Sequence, residues 1–181
     1  MLAHIASDGA ACWKIKEPNR DDFEASTNEQ PKQEILTDIE AGFTNKKTNF
    51  EWGANMYLMF YKDQLVLTGK INDVGAYTRT NVPKSKRIGI ELMEHWKLNS
   101  FMTSAANFTL SQNKIESFTE FIDNYDIGNQ KAIVHKNTDI TLSPNLTVNH
   151  TLEITLNKKW SLNMVSKYVS RQYLDNTQNE S

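Results

Sequence analysis

The stretch NFEWGANMYLMFYKDQLVL, Asn49 to Leu67, decides how the chain folds. Phe50, Trp52, Ala54, Met56, Leu58 and Phe60 occupy every second position, with Glu51, Gly53, Asn55 and Tyr57 between them. A period of two places alternate side chains on opposite faces of a strand. This strand therefore has one apolar face and one mostly polar face, and the open question is what the apolar face touches.

Composition narrows the answers. The chain has 181 residues, a net charge of -2, 39% hydrophobic and 23% charged residues, and a mean hydropathy of -0.58. No run approaches the roughly 18 apolar residues of a spanning helix, so a helical membrane protein is excluded. The near-neutral charge gives no electrostatic reason to expect nucleic acid as a partner. Cys12 is the single cysteine and rules out an internal disulfide. The N-terminus, MLAHIASDGAACWKIKEPNRDDF, lacks a basic region followed by a sustained apolar one, so it does not read as a signal peptide.

Alternation recurs in six segments: Glu34 to Phe43, Phe50 to Lys62, Lys86 to Lys97, Phe101 to Gln112, Thr141 to Asn157 and Trp160 to Tyr173. Their apolar stripes include Ile35, Ile39, Ala41 and Phe43; Ile88, Ile90, Leu92 and Trp96; and Leu142, Leu146, Val148, Leu152, Ile154 and Leu156. Each is at least as long as the roughly 9 to 11 residues that cross a bilayer as a tilted strand, against about 5 to 6 for a globular strand. The connections alternate in size. Asn45 to Asn49, Leu98 to Ser100 and Asn157 to Lys159 are tight and polar, whereas Asp63 to Ser85 and Asn113 to Ile140 are long. Short turns at one end and long loops at the other mark an up-and-down transmembrane barrel. The expected fold is thus all-β: an antiparallel meander of about six long strands with short periplasmic turns and long external loops, forming a partial arc of a large barrel. Residues 1–32 are expected to be a leading external loop, and residues 33–181 the barrel portion.

Aromatic placement agrees. Phe43, Phe50, Trp52, Trp96, Phe101 and Trp160 lie near the short turns, and Phe60, Tyr61, Phe108, Tyr168 and Tyr173 lie toward the long loops. Two belts, one per interface, suit rings held at lipid headgroups. The opposite faces carry residues such as Asp38, Glu40, Asn55, Arg87, Glu91, Asn107, Asn149 and Lys167, which suit a hydrated lumen.

Reactive constellations are lacking. His4, His95, His135 and His150 show no metal-ligand spacing, and ELMEH at Glu91 to His95 is not HExxH. Cys12 has no nucleophile context, no GxSxG elbow surrounds a serine, and the seven glycines build no phosphate-cradling loop. The expectation is no catalytic residue, no bound metal and no cofactor.

Several segments carry a resemblance to a family. EPNRDDF (Glu17 to Phe23) resembles the segment that opens this region, and PKQEILTDIEAGF (Pro31 to Phe43), NMYLMFYKDQLVLTGKINDVGAYTRTNVPKSKRIGIELMEHW (Asn55 to Trp96), AANFTLSQNKI (Ala105 to Ile115) and SKYVSRQYLDNTQNE (Ser166 to Glu180) resemble, in that order, the barrel strands of TonB-dependent outer-membrane receptors of the Bacteroidota type. The resemblance runs from Glu17 to Ser181. Residues 1 to 16 do not look like the preceding family strand, and the N-terminal plug, the TonB box and the closing strand are absent.

The resemblance implies a fragment of a Gram-negative outer-membrane transporter, with outer-membrane lipid around it and TonB–ExbB–ExbD acting through the missing plug. It also implies energised uptake of a small nutrient complex, with ferric siderophores the commonest class and haem, cobalamin and glycans open. Loop residues that could meet such a ligand are Arg20, Asp21, Asp22, Asp73, Arg79, Asp123, Tyr125 and Asp126. The rival reading is a soluble all-β binding module without catalytic activity, a sandwich whose apolar faces meet each other.

Overall fold

The computed structural model describes residues 4–24, 30–71, 77–124 and 129–178. Eight strands form one antiparallel sheet: β1 (His4–Lys16), β2 (Glu34–Lys46), β3 (Phe50–Ile71), β4 (Tyr77–Lys97), β5 (Met102–Asn124), β6 (Asn129–Asp139), β7 (Leu146–Asn157) and β8 (Trp160–Val169). The spatial order is β1-β2-β3-β4-β5-β7-β8, with β6 paired to the outer half of β5. The only helix among the described residues is α1 (Arg20–Glu24). No helix of the described chain is long and apolar enough to cross a membrane.

Short turns set the register. Asn99 Oδ1 accepts the Phe101 N–H at 2.9 Å, and Asn157 Oδ1 accepts the Lys159 and Trp160 N–H groups at 2.8 and 3.1 Å. These side chains replace the backbone partners that a tight reversal removes. Neighbouring turns are also tied, with Lys97 N donating to Asn49 O and Thr155 N to Phe101 O, both at 2.8 Å.

The register carries the period-two pattern across the whole sheet. Ile39, Leu58 and Ile88 lie in one row; Ala41, Met56, Ile90, Leu110 and Leu146 in the next; Phe43, Ala54, Leu92, Phe108, Val148 and Tyr168 in a third. No second sheet covers this apolar face among the described residues, and Met56, Ile90, Leu110 and Met164 are 51%, 38%, 50% and 54% exposed. A sandwich would have buried them. The exposed rows favour a barrel arc over the sandwich, since aqueous monomers rarely expose so continuous an apolar surface.

Two strands exceed the six expected. β1 occupies part of the segment expected to be a leading loop and pairs with β2 along its whole length. β6, together with extensions of β3, β4 and β5, occupies what sequence suggested were long loops. The extensions persist because they have a core of their own: Val66, Val82, Ile115, Phe118 and Ile140 are buried together at the long-loop end. The boundary between wall and extension falls at Asp63 and Pro83, where the ladder steps from Lys62 opposite Lys84 to Gln64 opposite Val82. Pro83 has no N–H to give, and Asp63 adopts φ 53°. Asn81 secures the bend, donating from Nδ2 to the carbonyls of Asp63 and Lys32 and accepting the Lys32 N–H.

A third difference concerns residues 140–145. Sequence placed Leu142 on the apolar stripe of a strand beginning at Thr141; β7 instead begins at Leu146. Leu142 takes φ 52°, and Pro144 follows. Both terminate extended pairing, and the segment folds onto the polar face.

Candidate functional site

The polar face is assembled from alternate residues of neighbouring strands. Glu40, Tyr57, Gly89 and Ser111 share a row, as do Asp38, Met59, Arg87 and Asn113. The missing side chain at Gly89 makes room for Tyr57, whose ring occupies the space a Cβ would take. An aromatic laid over a facing glycine restores packing that the glycine forfeits.

A cavity of about 400 Å³ opens on this face, bounded by Glu40, Asn55, Tyr57, Arg87 and Glu91 on the strand side and by Leu142, Ser143 and Pro144 on the other. Hydrogen bonds hold the 140–145 segment there. Arg87 Nη1 donates to Ser143 Oγ at 3.1 Å, Ser111 Oγ to Pro144 O at 3.2 Å, and Ser111 N to Asn145 O at 2.8 Å. Behind it lies the chain after β8: Leu142 N donates to Tyr173 O and Thr141 N to Asn176 Oδ1, each at 2.9 Å. Asn176 is fully buried by that packing. The Arg87 guanidinium also reaches the Tyr61 hydroxyl, with Asp38 and Glu34 close by.

Such a wall offers guanidinium donors, carboxylate acceptors, amides and hydroxyls to a hydrated guest or to a polar protein surface. Among the described residues no group of three or more His, Cys, Asp or Glu side chains could hold a metal ion. Arg87 and Ser143 were missed as partners by sequence reasoning, although the S-P-N cluster at Ser143 to Asn145 was a turn signal.

Of the loop residues singled out from sequence, the structure brings two together. Asp22, in α1, and Arg79, in β4, form an ion pair of 2.8 Å between Oδ1 and Nε, with the aspartate side chain 3% exposed. The helix is capped reciprocally: Asn19 Oδ1 accepts the Asp22 N–H and Asp22 Oδ2 accepts the Asn19 N–H, at 2.9 and 2.8 Å. That is the capping-box arrangement with Asp in the third position. Arg20 lies exposed on the same helix and Asp21 is its neighbour in sequence. Asp123 is paired with Gln130 in the β5–β6 ladder. Asp73, Tyr125 and Asp126 lie outside the described residues.

Removing the Arg79 side chain leaves a buried, capped carboxylate without its counter-charge. Arg79→Ala is expected to weaken docking of α1 by about 1–3 kcal/mol, the cost of an unsatisfied buried acceptor. Limited proteolysis near residues 17–30 would accelerate, while Arg79→Lys would restore part of the protection.

No family model matches the sequence, and no curated protein does. Solved structures do match. The chain aligns with the copper transporter OprC at TM-score 0.65 and 14% identity, over 92% of this chain and 24% of that one. It aligns with a mutant ferric enterobactin receptor from Pseudomonas aeruginosa at 0.61 and 16% (97% and 28%), and with the siderophore receptor PirA from Acinetobacter baumannii at 0.59 and 15% (93% and 28%). These neighbours are TonB-dependent receptors. The fold here is that of an arc of a TonB-dependent receptor barrel. The chain spans about a quarter of the length of the receptors it matches. Along the arc the exposed apolar rows lie on one face and the cavity around Arg87 on the other. The neighbours are transporters and receptors, not enzymes.

Proposed function

We propose that this chain is part of the wall of a TonB-dependent outer-membrane transporter that takes up a ferric siderophore. The observation carrying the reading is the exposed apolar face, continuous from β2 to β8 and backed by a polar face with a polar-lined cavity. Two structural neighbours are named for enterobactin or a siderophore and one for copper, which supports a metal-complex cargo and favours the siderophore. On this reading the barrel closes with strands outside this sequence, and a plug, also outside it, couples to TonB–ExbB–ExbD. β1 to β8 then form wall, and Arg20, Asp21, Asp22, Asp73, Arg79, Asp123, Tyr125 and Asp126 belong to the surface that first meets cargo.

Purification with and without detergent tests the wall reading. An arc with two open edges and a lipid-facing surface is expected to aggregate in plain buffer and to keep its strand signature in detergent or bilayers. A compact monomer in plain buffer would refute it. Alone in liposomes the chain is expected to admit no ferric siderophore, because an arc encloses no lumen; measurable uptake would overturn the need for partner strands.

A further inference from the structure

On the apolar face, the last two rows before the extensions change character. The row of Ile39, Leu58, Ile88 and Gln112 is followed toward the long-loop end by Thr37, Phe60, Lys86, Lys114 and Asp139, and then by Ile35, Lys62 and Lys84. Asp63 and Pro83 adjoin that last row in the opposite phase of the alternation. Lys62 stands directly opposite Lys84, and Lys86 directly opposite Lys114. Like charges placed so destabilise a sheet unless something answers them.

The protein's own carboxylates answer part of this charge. Lys114 Nζ meets Asp139 Oδ1 at 2.8 Å, with both side chains mostly covered. Lys84 Nζ reaches Glu116 Oε2 only at 3.9 Å, with both side chains mostly exposed, a pair of little strength. The side chains of Lys62 and Lys86 have no ion pair or hydrogen bond among the described residues. Four ammonium groups thus face two carboxylates, and two positive charges are left over. The turn end of the same face contrasts. Its rows, through Trp52, Glu94 and His150 and through Trp96, Ser104 and Leu152, hold no lysine or arginine. The polar breaks there bond one another: Ser104 Oγ donates to Glu94 Oε1 at 2.7 Å and meets His150 Nε2 at 3.1 Å.

We infer that Lys62, Lys84 and Lys86 hold the phosphomonoester headgroup of an anionic lipid in the leaflet at the long-loop end. The inference rests on the wall reading above. Lysine stems lie along apolar surface while their charged heads reach water, and these stems border Ile35, Phe60 and Ile88. Phe60 and the neighbouring Ile39 are 45% and 44% exposed. An anion that also covers this surface must carry hydrocarbon, which selects a lipid over a free ion. Charge selects the headgroup. A phosphomonoester bears roughly −1.5 to −2 at neutral pH and matches the two leftover positive charges, whereas a phosphodiester bears a single negative charge and leaves one ammonium unanswered.

The test places the full chain in phosphatidylcholine nanodiscs holding equal minor shares of phosphatidic acid, a phosphomonoester, and phosphatidylglycerol, a phosphodiester, with retained lipid counted by native mass spectrometry. Phosphatidic acid is expected to be kept over phosphatidylglycerol by roughly fivefold, the ratio that one lysine beside an anionic surface supplies. The preference should disappear in Lys62→Gln and in Lys86→Gln, persist in Lys62→Arg, and be untouched by Lys159→Gln in the β7–β8 turn. Equal retention of the two lipids by the wild-type chain overturns the inference without any variant. So does a preference that survives both glutamine substitutions, or one that added inorganic phosphate abolishes, since the site would then be one for free phosphate. Strand content and protease protection in discs of phosphatidylcholine alone report on the wall reading independently of headgroup.

Discussion

Met56→Arg is expected to destabilise the bilayer-refolded chain by about 2–4 kcal/mol, the cost of a guanidinium near the midplane of a barrel's lipid face. Met56 lies in a row with Ala41, Ile90, Leu110 and Leu146 and is half exposed with nothing apolar from the protein to cover it. One residue away, Asn55 lines the cavity with Glu40 and Glu91. Asn55→Arg should therefore be tolerated within roughly 0.5 kcal/mol, as an accommodated surface change is, since two carboxylates and open solvent await the new charge. Guanidinium midpoints followed by tryptophan fluorescence in vesicles would measure both. The contrast is the test. On a water-exposed face Met56→Arg would be as mild as Asn55→Arg, and equal small effects would remove lipid from the apolar side.

Ile115→Ala is expected to cost about 2–5 kcal/mol, the range for emptying a fully buried aliphatic site. Ile115 is 0% exposed and, among the described residues, clusters with the buried Val66, Val82, Phe118 and Ile140 of the extensions beyond the wall. Its loss leaves those extensions with little to hold them against the entropy of long hairpins. Hydrogen exchange should consequently rise in residues 63–71, 77–85 and 113–139, while residues 50–60 and 88–97 keep their protection. Uniform loosening of both regions would instead mean that wall and extension unfold as one unit.

Much of the wall was legible beforehand, because a period of two is a local property. Phe50 to Phe60 needs no partner to declare two faces, and Asn99 and Asn157 announce tight reversals by side chains that bond their own backbone. Less was legible where local signals conflict. The stretches Asp63 to Ser85 and Asn113 to Ile140 look like loops, rich as they are in Asn, Asp, Thr and Lys. Val66, Val82, Ile115 and Phe118 make strands of them by burying one another across hairpins, a gain invisible to either segment alone. β1 was missed for a related reason: Ala10, Ala11 and Cys12 have little apolar contrast, and pairing with β2 supplies the order.

The candidate site divides in the same way. Asp22 and Arg79 could each be picked out as loop charges, but 56 intervening residues hid that they neutralise each other. Sequence alone determined the alternation and the turn chemistry, since each depends on residues a few positions apart. Only the tertiary structure decided that the 140–145 segment lies over Arg87, that the extensions have their own core, and that Glu94, Ser104 and His150 meet. Those three occur singly, as isolated breaks in three separate apolar stripes. Register across three strands makes them neighbours, and register is set by the pairing of whole strands, which no single strand encodes.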